Sequence, residues 1–217
     1  GLVAATVLIR RGSADESEGE FGLASFTTSM LMRGTRFRSS RQLAFDLESI
    51  GAMAADSDGL DSCALTLRVA AEDVDEAFAI LFEMLLDPAF NANEHEISRR
   101  ELLAHLRMIE DDKFSLTYRA YVRNMFAGHG YGHPVEGEME DALRVTPDQC
   151  RRWHAETCRP ESCLLVVVGD LTTENIAELV RRYTESWQRS LTLRSRAKPP
   201  EGPAGDRLIE LERPGLQ

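Results

Sequence analysis

Short strand-like runs separated by longer amphipathic segments limit the fold of this chain more than any other feature. Residues 2–10 and 164–168 are rich in apolar, β-branched types, and residues 62–70 alternate apolar with polar side chains. Helical spacing recurs in residues 74–86, 94–109, 114–126 and 174–187. Strands need pairing partners and amphipathic helices need a face to cover. We therefore predict an α+β, two-layer sandwich, with helices covering one side of a mixed, mostly antiparallel sheet.

The same pattern predicts one large domain over residues 1–192, because no linker-like stretch interrupts it. Residues 193–206 are rich in proline and glycine and are typical of a linker or surface loop. Residues 207–217 are predicted to hold a last strand, at 208–211, and the start of a connection onward. The chain begins at Gly1 directly in a strand-like run, without an initiator methionine, which favours a fragment cut or processed at its start.

Composition and charge exclude some classes of function. The net charge is −11 and the pI about 5.0, which argues against binding nucleic acid or an anionic membrane surface. No apolar run approaches the roughly 20 residues that span a bilayer. The four cysteines form no C-x-x-C pair, so neither a disulfide framework nor a cysteine zinc site is expected.

Several segments, in order and at sensible spacing, resemble a known family. Residues 22–35 read G-L-A-S-F-T-T-S-M-L-M-R-G-T, where the insulinase/pitrilysin family of zinc peptidases typically shows G-x-A-H-F-L-E-H-M-x-F-x-G-T. Further matching segments lie at residues 12–16, 51–55, 99–112, 128–137, 146–147, 159–160 and 166–170. The chain is thus similar to the N-terminal half of such a subunit. By the same resemblance, residues 213–217 are expected to lie where the chain continues into a second, similar half. The implied fold is the mitochondrial-processing-peptidase-like metallohydrolase fold.

The family's metal motif is degenerate here. Members use H-x-x-E-H on a helix, with two histidine ligands, a glutamate base and a distant glutamate as the third ligand. The resemblance places these four residues at Ser25, Thr28, Ser29 and Ser98; Glu96 or Glu101 would match the last only if the helix register slipped. A serine hydroxyl is a poor zinc ligand and a threonine hydroxyl has no usable pKa for a general base. We expect no catalytic residue and no metal in this chain, and zinc in a partner subunit.

One other group of possible ligands is present. His129, His133 and Glu136 lie together in one glycine-rich loop, and such side chains can bind zinc. The resemblance instead gives this loop a structural role, and both interpretations remain open at this stage.

The resemblance implies a non-catalytic subunit that pairs with a zinc-bearing homologue to enclose and bind peptides. A pure scaffold, as in respiratory-complex core subunits, and an active zinc protease with non-standard ligands are the alternatives. In the family, substrate adds as a strand to a sheet edge, which falls here at Gly51, Ala52, Met53, Ala54 and Ala55, within residues 51–58. An ordinary edge strand is the competing interpretation. The resemblance also favours the bacterial periplasm or cell envelope.

Overall fold

A computed structural model describes residues 1–187, 199–202, 208 and 210 of the chain. Its centre is a four-stranded sheet in the order β2–β3–β1–β4, in which β1 pairs antiparallel with both β3 and β4. The strands are β1 (Leu2–Ile9), β2 (Met53–Ser57), β3 (Cys63–Ala70) and β4 (Cys163–Gly169). The predicted α+β class is confirmed. Every strand pair of the described sheet is antiparallel, because β2 and β3 form a hairpin and the helical segments return the chain beside β1 in the opposite direction.

The described residues form eight α-helices, and one face of the sheet is covered by helices. They are α1 (Leu23–Met30), α2 (Ser40–Ser49), α3 (Val74–Leu86), α4 (Ala92–Asp111), α5 (Lys113–Met125), α6 (Met139–Arg144), α7 (Pro147–Thr157) and α8 (Thr173–Thr184). A capping box starts α7: the Thr146 hydroxyl accepts from the Gln149 amide, and the Gln149 side chain accepts from the Thr146 amide. No helix in the described ranges is both long and apolar enough to cross a membrane.

The main core, here called the α3 cluster, forms where α3 crosses the sheet. Alternate residues of β1 and β3, such as Val3 and Leu67, point towards α3, whose Phe78 and Leu81 are completely buried. On the opposite face of the sheet Leu164, Val166 and Val168 of β4 remain exposed among others. The helices therefore lie on one side, as the two-layer prediction requires.

A second core, the α1 cluster, packs α1 against α7, α4 and the start of β3. Its buried apolar members are Leu23, Ala24, Phe26, Met30, Leu31, Cys63, Phe90, Val145, Cys150 and Trp153. Because α1 lies between two elements that are distant in sequence, its position depends on long-range packing. The predicted linker at 193–206 and strand at 208–211 fall largely outside the described residues and stay predictions.

Candidate functional site

The amino end of α1 is held by a carboxylate from the preceding loop. Gly22 precedes the helix with a left-handed φ of 88° and offers no side-chain cap. Instead, the oxygens of the Glu16 carboxylate accept hydrogen bonds from the amides of Gly22 (2.8 Å) and Ala24 (2.6 Å). Sequence reasoning missed Glu16, because it lies well before the helix and outside capping-box spacing.

Burial sets the protonation of Glu16. Removal from water raises its pKa to about 8, and the two amide hydrogen bonds only partly oppose this. The Nδ1 atom of His133 lies 3.8 Å from Glu16 Oε2, and the His133 ring stacks on Phe21 with a centroid distance of 4.0 Å. Burial also lowers the pKa of His133. Through these contacts of His133 with Glu16 and Phe21, the 128–137 loop packs against the start of α1.

Three of the four degenerate positions lie on α1, and two of their hydroxyls are turned back onto the helix. The buried Thr28 hydroxyl donates to the Ala24 carbonyl at 2.8 Å, and the Ser29 hydroxyl donates to the Phe26 carbonyl at 2.9 Å. Ser25 is half-buried. A hydroxyl that donates to a carbonyl of its own helix has its hydrogen atom engaged there and cannot donate it to a ligand.

The fourth position, Ser98, lies on α4, which packs beside α1 through an edge-to-face contact of Phe26 with His95 at 5.0 Å. Ser98 and His95 are both buried, and Ser98 Oγ and His95 Nε2 lack hydrogen-bond partners among the described residues. The two acids that a register slip would bring to this position are engaged elsewhere. Glu96 pairs with Arg99 and Arg100, and Glu101 pairs with Arg33.

This donor set does not fit zinc. The family's site needs imidazole and carboxylate ligands, whereas these four positions offer neutral hydroxyls, two of them already donating to backbone carbonyls.

The histidines of the 128–137 loop serve its own structure. His129 Nδ1 accepts from the Tyr131 amide at 3.1 Å, His133 Nδ1 lies 3.1 Å from the Pro134 carbonyl, and Glu136 pairs with Arg119. Over residues 1–187 and the short described stretches beyond, no group of three or more acidic, histidine or cysteine side chains is arranged to hold a metal ion.

The proposed peptide-binding edge lies beside α1. β2 is the outermost strand of the sheet on this side and contacts both α1 and α2. The strand begins at Met53, two residues later than the start of the predicted segment. Gly51 (φ 61°) and Ala52, whose amide donates to the Leu47 carbonyl at 2.8 Å, instead form the turn after α2.

Comparison with known proteins agrees with this architecture. The sequence profile of "Insulinase (Peptidase family M16)" matches residues 2–138. An uncharacterized zinc protease of Rickettsia bellii is 24% identical over 85% of this chain and 45% of its own length. Subunit 1 of the mitochondrial cytochrome b-c1 complex of Caenorhabditis elegans is 27% identical over 82% of this chain and 37% of its own length.

Among solved structures, an inactive domain of a peptidase from the same family in Pseudomonas fluorescens superimposes with a TM-score of 0.86. It shares 19% identity over 92% of this chain and 48% of its own, which establishes a common fold. The chain spans about half the length of the curated relatives it matches, such as the Rickettsia protein.

Proposed function

The chain belongs to the insulinase family of peptidases, and from this premise we propose that it is part of a non-catalytic subunit that binds peptides together with a zinc-bearing homologue. The observation that carries the proposal is that Ser25, Thr28 and Ser29, where the resemblance places the motif, offer only hydroxyls on α1, two of which donate to carbonyls of the same helix. Without imidazole and carboxylate groups there is neither a zinc site nor a base to activate water.

Peptide binding does not need those lost residues. A strand that adds to a sheet edge is held by backbone amides and carbonyls, which are independent of side-chain identity. β2 has β3 as its sole neighbour in the described sheet, so its outer edge is free to pair. The neighbouring α1 is firmly placed by the Glu16 carboxylate and by α7. The edge and the helix thus remain together although the metal chemistry is absent.

The proposal is tested on the full-length protein to which this chain belongs. We expect substoichiometric zinc by elemental analysis and no cleavage of a quenched fluorescent peptide by the protein alone. Cleavage should appear on mixing with a homologue from the same source that carries H-x-x-E-H. Stoichiometric zinc together with cleavage in the isolated protein would show an active protease with unusual ligands instead.

A matched variant shows that the assay can detect zinc on this scaffold. In the double variant Ser25→His and Ser29→His, two imidazoles four residues apart occupy one face of α1. Both positions are half-buried, so the larger side chains have access to solvent. We expect measurable zinc uptake in this variant and none in wild type.

The similarity to subunit 1 of a cytochrome b-c1 complex favours a second candidate, a structural scaffold. A scaffold would co-purify with a large assembly and bind no peptide with or without a zinc-bearing homologue. Peptide binding that depends on the backbone of the probe would contradict the scaffold role. A probe methylated at every backbone amide provides this test, because it can donate no hydrogen bond to the edge strand whichever face it presents.

A further inference from the structure

Asp56 is the acidic residue of the free edge strand. It pairs with Leu65 of β3, whose side chain is completely buried on the helix-covered face of the sheet. Because side chains alternate along a strand and paired residues share a face, Asp56 points to the helix side, whereas Met53 and Ala55 point to the open face. Asp56 therefore lies on the same side of the edge as α1.

The Asp56 carboxylate has no salt-bridge partner among the described residues. Arg33, which follows α1, acts on it electrostatically, but its guanidinium is paired with Glu101 of α4. Asp58, just past the end of β2, adds negative potential, and partial desolvation raises the pKa of Asp56. An under-compensated carboxylate next to unpaired backbone groups favours a ligand that brings its own positive charge.

We propose that Asp56 selects extended peptides that carry lysine or arginine at the residue pairing beside it on the β2 edge. The inference rests on the peptide binding proposed above. A strand added to β2 sends alternate side chains to the helix side, and the side chain opposite Asp56 would have its Cβ about 5 Å away. A basic side chain there completes a cross-strand ion pair, while an acidic one meets like charge.

The test uses full-length protein mixed with its zinc-bearing homologue and three labelled peptides of alternating threonine and valine. Their one variable central residue is lysine, norleucine or glutamate; norleucine keeps the apolar stem of lysine without the charge. Fluorescence anisotropy at low ionic strength should give a lysine peptide bound on the order of fivefold more tightly than the norleucine peptide. The glutamate peptide should bind more weakly than both.

Two substitutions separate a local pair from the overall field of an acidic protein. Asp56→Asn should abolish the preference for lysine over norleucine. Asp58→Asn removes the same charge two residues away, past the end of the strand, and should leave most of the preference intact. Equal effects of both substitutions, or a preference that survives Asp56→Asn, would assign the selectivity to the net charge of −11 and overturn the role of Asp56.

The results expected if no peptide binds at the β2 edge differ from those expected if only the role of Asp56 is wrong. If none of the three peptides binds, or if methylation of every backbone amide leaves norleucine binding unchanged, the proposal of binding at the β2 edge is itself wrong. If binding depends on the peptide backbone but ignores the central charge, the edge site stands and Asp56 has no part in selection.

Discussion

The two cores of this domain are built differently. The α3 cluster is formed by apolar side chains, with Phe78, Leu81 and Met84 completely shielded from solvent. Around the α1 cluster, buried polar side chains are interspersed with the apolar ones. Ser98, His95 on α4 and Ser13 beneath α1 each bury a side-chain atom without a hydrogen-bond partner in the described part of the chain.

The difference has a consequence for stability. A buried polar atom without a partner costs about 1–3 kcal/mol, so a region selected for stability alone avoids it. Departures from good packing concentrate at functional sites, where a structure holds groups for chemistry or binding. Ser98, one of the buried polar residues around the α1 cluster, lies where the family resemblance places a ligand.

The largest expected effect would test the α3 cluster as the main source of stability. Phe78→Ala should lower the free energy of unfolding by about 3–5 kcal/mol, because it removes a fully buried ring and leaves a cavity. Urea denaturation measures this. Phe45→Ala is the matched control, since that ring is 64% exposed on α2 and its loss should be nearly neutral. Similar losses in both variants would contradict the assignment.

The next effect concerns pH and belongs to the α1 region. The folded-state pKa of Glu16, about 8, lies above its ordinary value of 4.5, so folded protein retains a proton that unfolded protein releases between these pH values. Stability should therefore fall as pH rises through this window, by at most about 1.4 kcal/mol per pH unit. Denaturation midpoints of Glu16→Gln should lack this slope. The exposed Glu48→Gln should keep it.

Two glycines near α1 allow the cost of backbone strain to be measured apart from the cost of a steric clash. Gly128 and Gly137 have the same φ of 78°, but a Cβ at Gly137 would lie 2.2 Å from the Phe21 carbonyl, whereas one at Gly128 meets nothing within 4 Å. Gly128→Ala should cost about 1–2 kcal/mol from backbone conformation alone. Gly137→Ala should cost clearly more in thermal denaturation. Equal losses would mean that the 128–137 loop is not fixed against α1.

The smallest expected effect is also the most diagnostic of the α1 region. Ser98→Ala removes a buried hydroxyl without a partner and should leave stability unchanged or raise it by up to about 1 kcal/mol. Thr157→Val is the control, because that equally buried hydroxyl donates to the Trp153 carbonyl at 2.8 Å and its loss should be destabilising. A clear loss of stability in Ser98→Ala would mean that its hydroxyl has an essential partner.

Periodicity and caps were enough to predict most of the fold, but not its edge. β1, α3 and α4 carry strong local patterns and lie close to the predicted ranges. β2 is short, with small and polar residues on an open edge, so it has no clear alternation of its own. Its position was expected from the family resemblance.

The candidate site was less accessible to sequence reasoning. The positions Ser25, Thr28, Ser29 and Ser98 came from the resemblance, and their correspondence to the family's ligands stays a prediction. The cap supplied by Glu16 and the stacking of His133 on Phe21 join segments that no local pattern connects. Such contacts follow from tertiary packing, and the sequence offers no periodic signal for them.

The free edge of β2 also bears on how this protein behaves at high concentration. An unpaired strand can template the strand of a second copy, and acidic side chains along it are a means of preventing such self-association. Because the pKa of Asp56 is raised, its charge is lost earlier on acidification than that of an ordinary aspartate. Acidification thus weakens the repulsion between exposed edges, and we expect aggregation at this strand to become more favourable as the charge of Asp56 is lost.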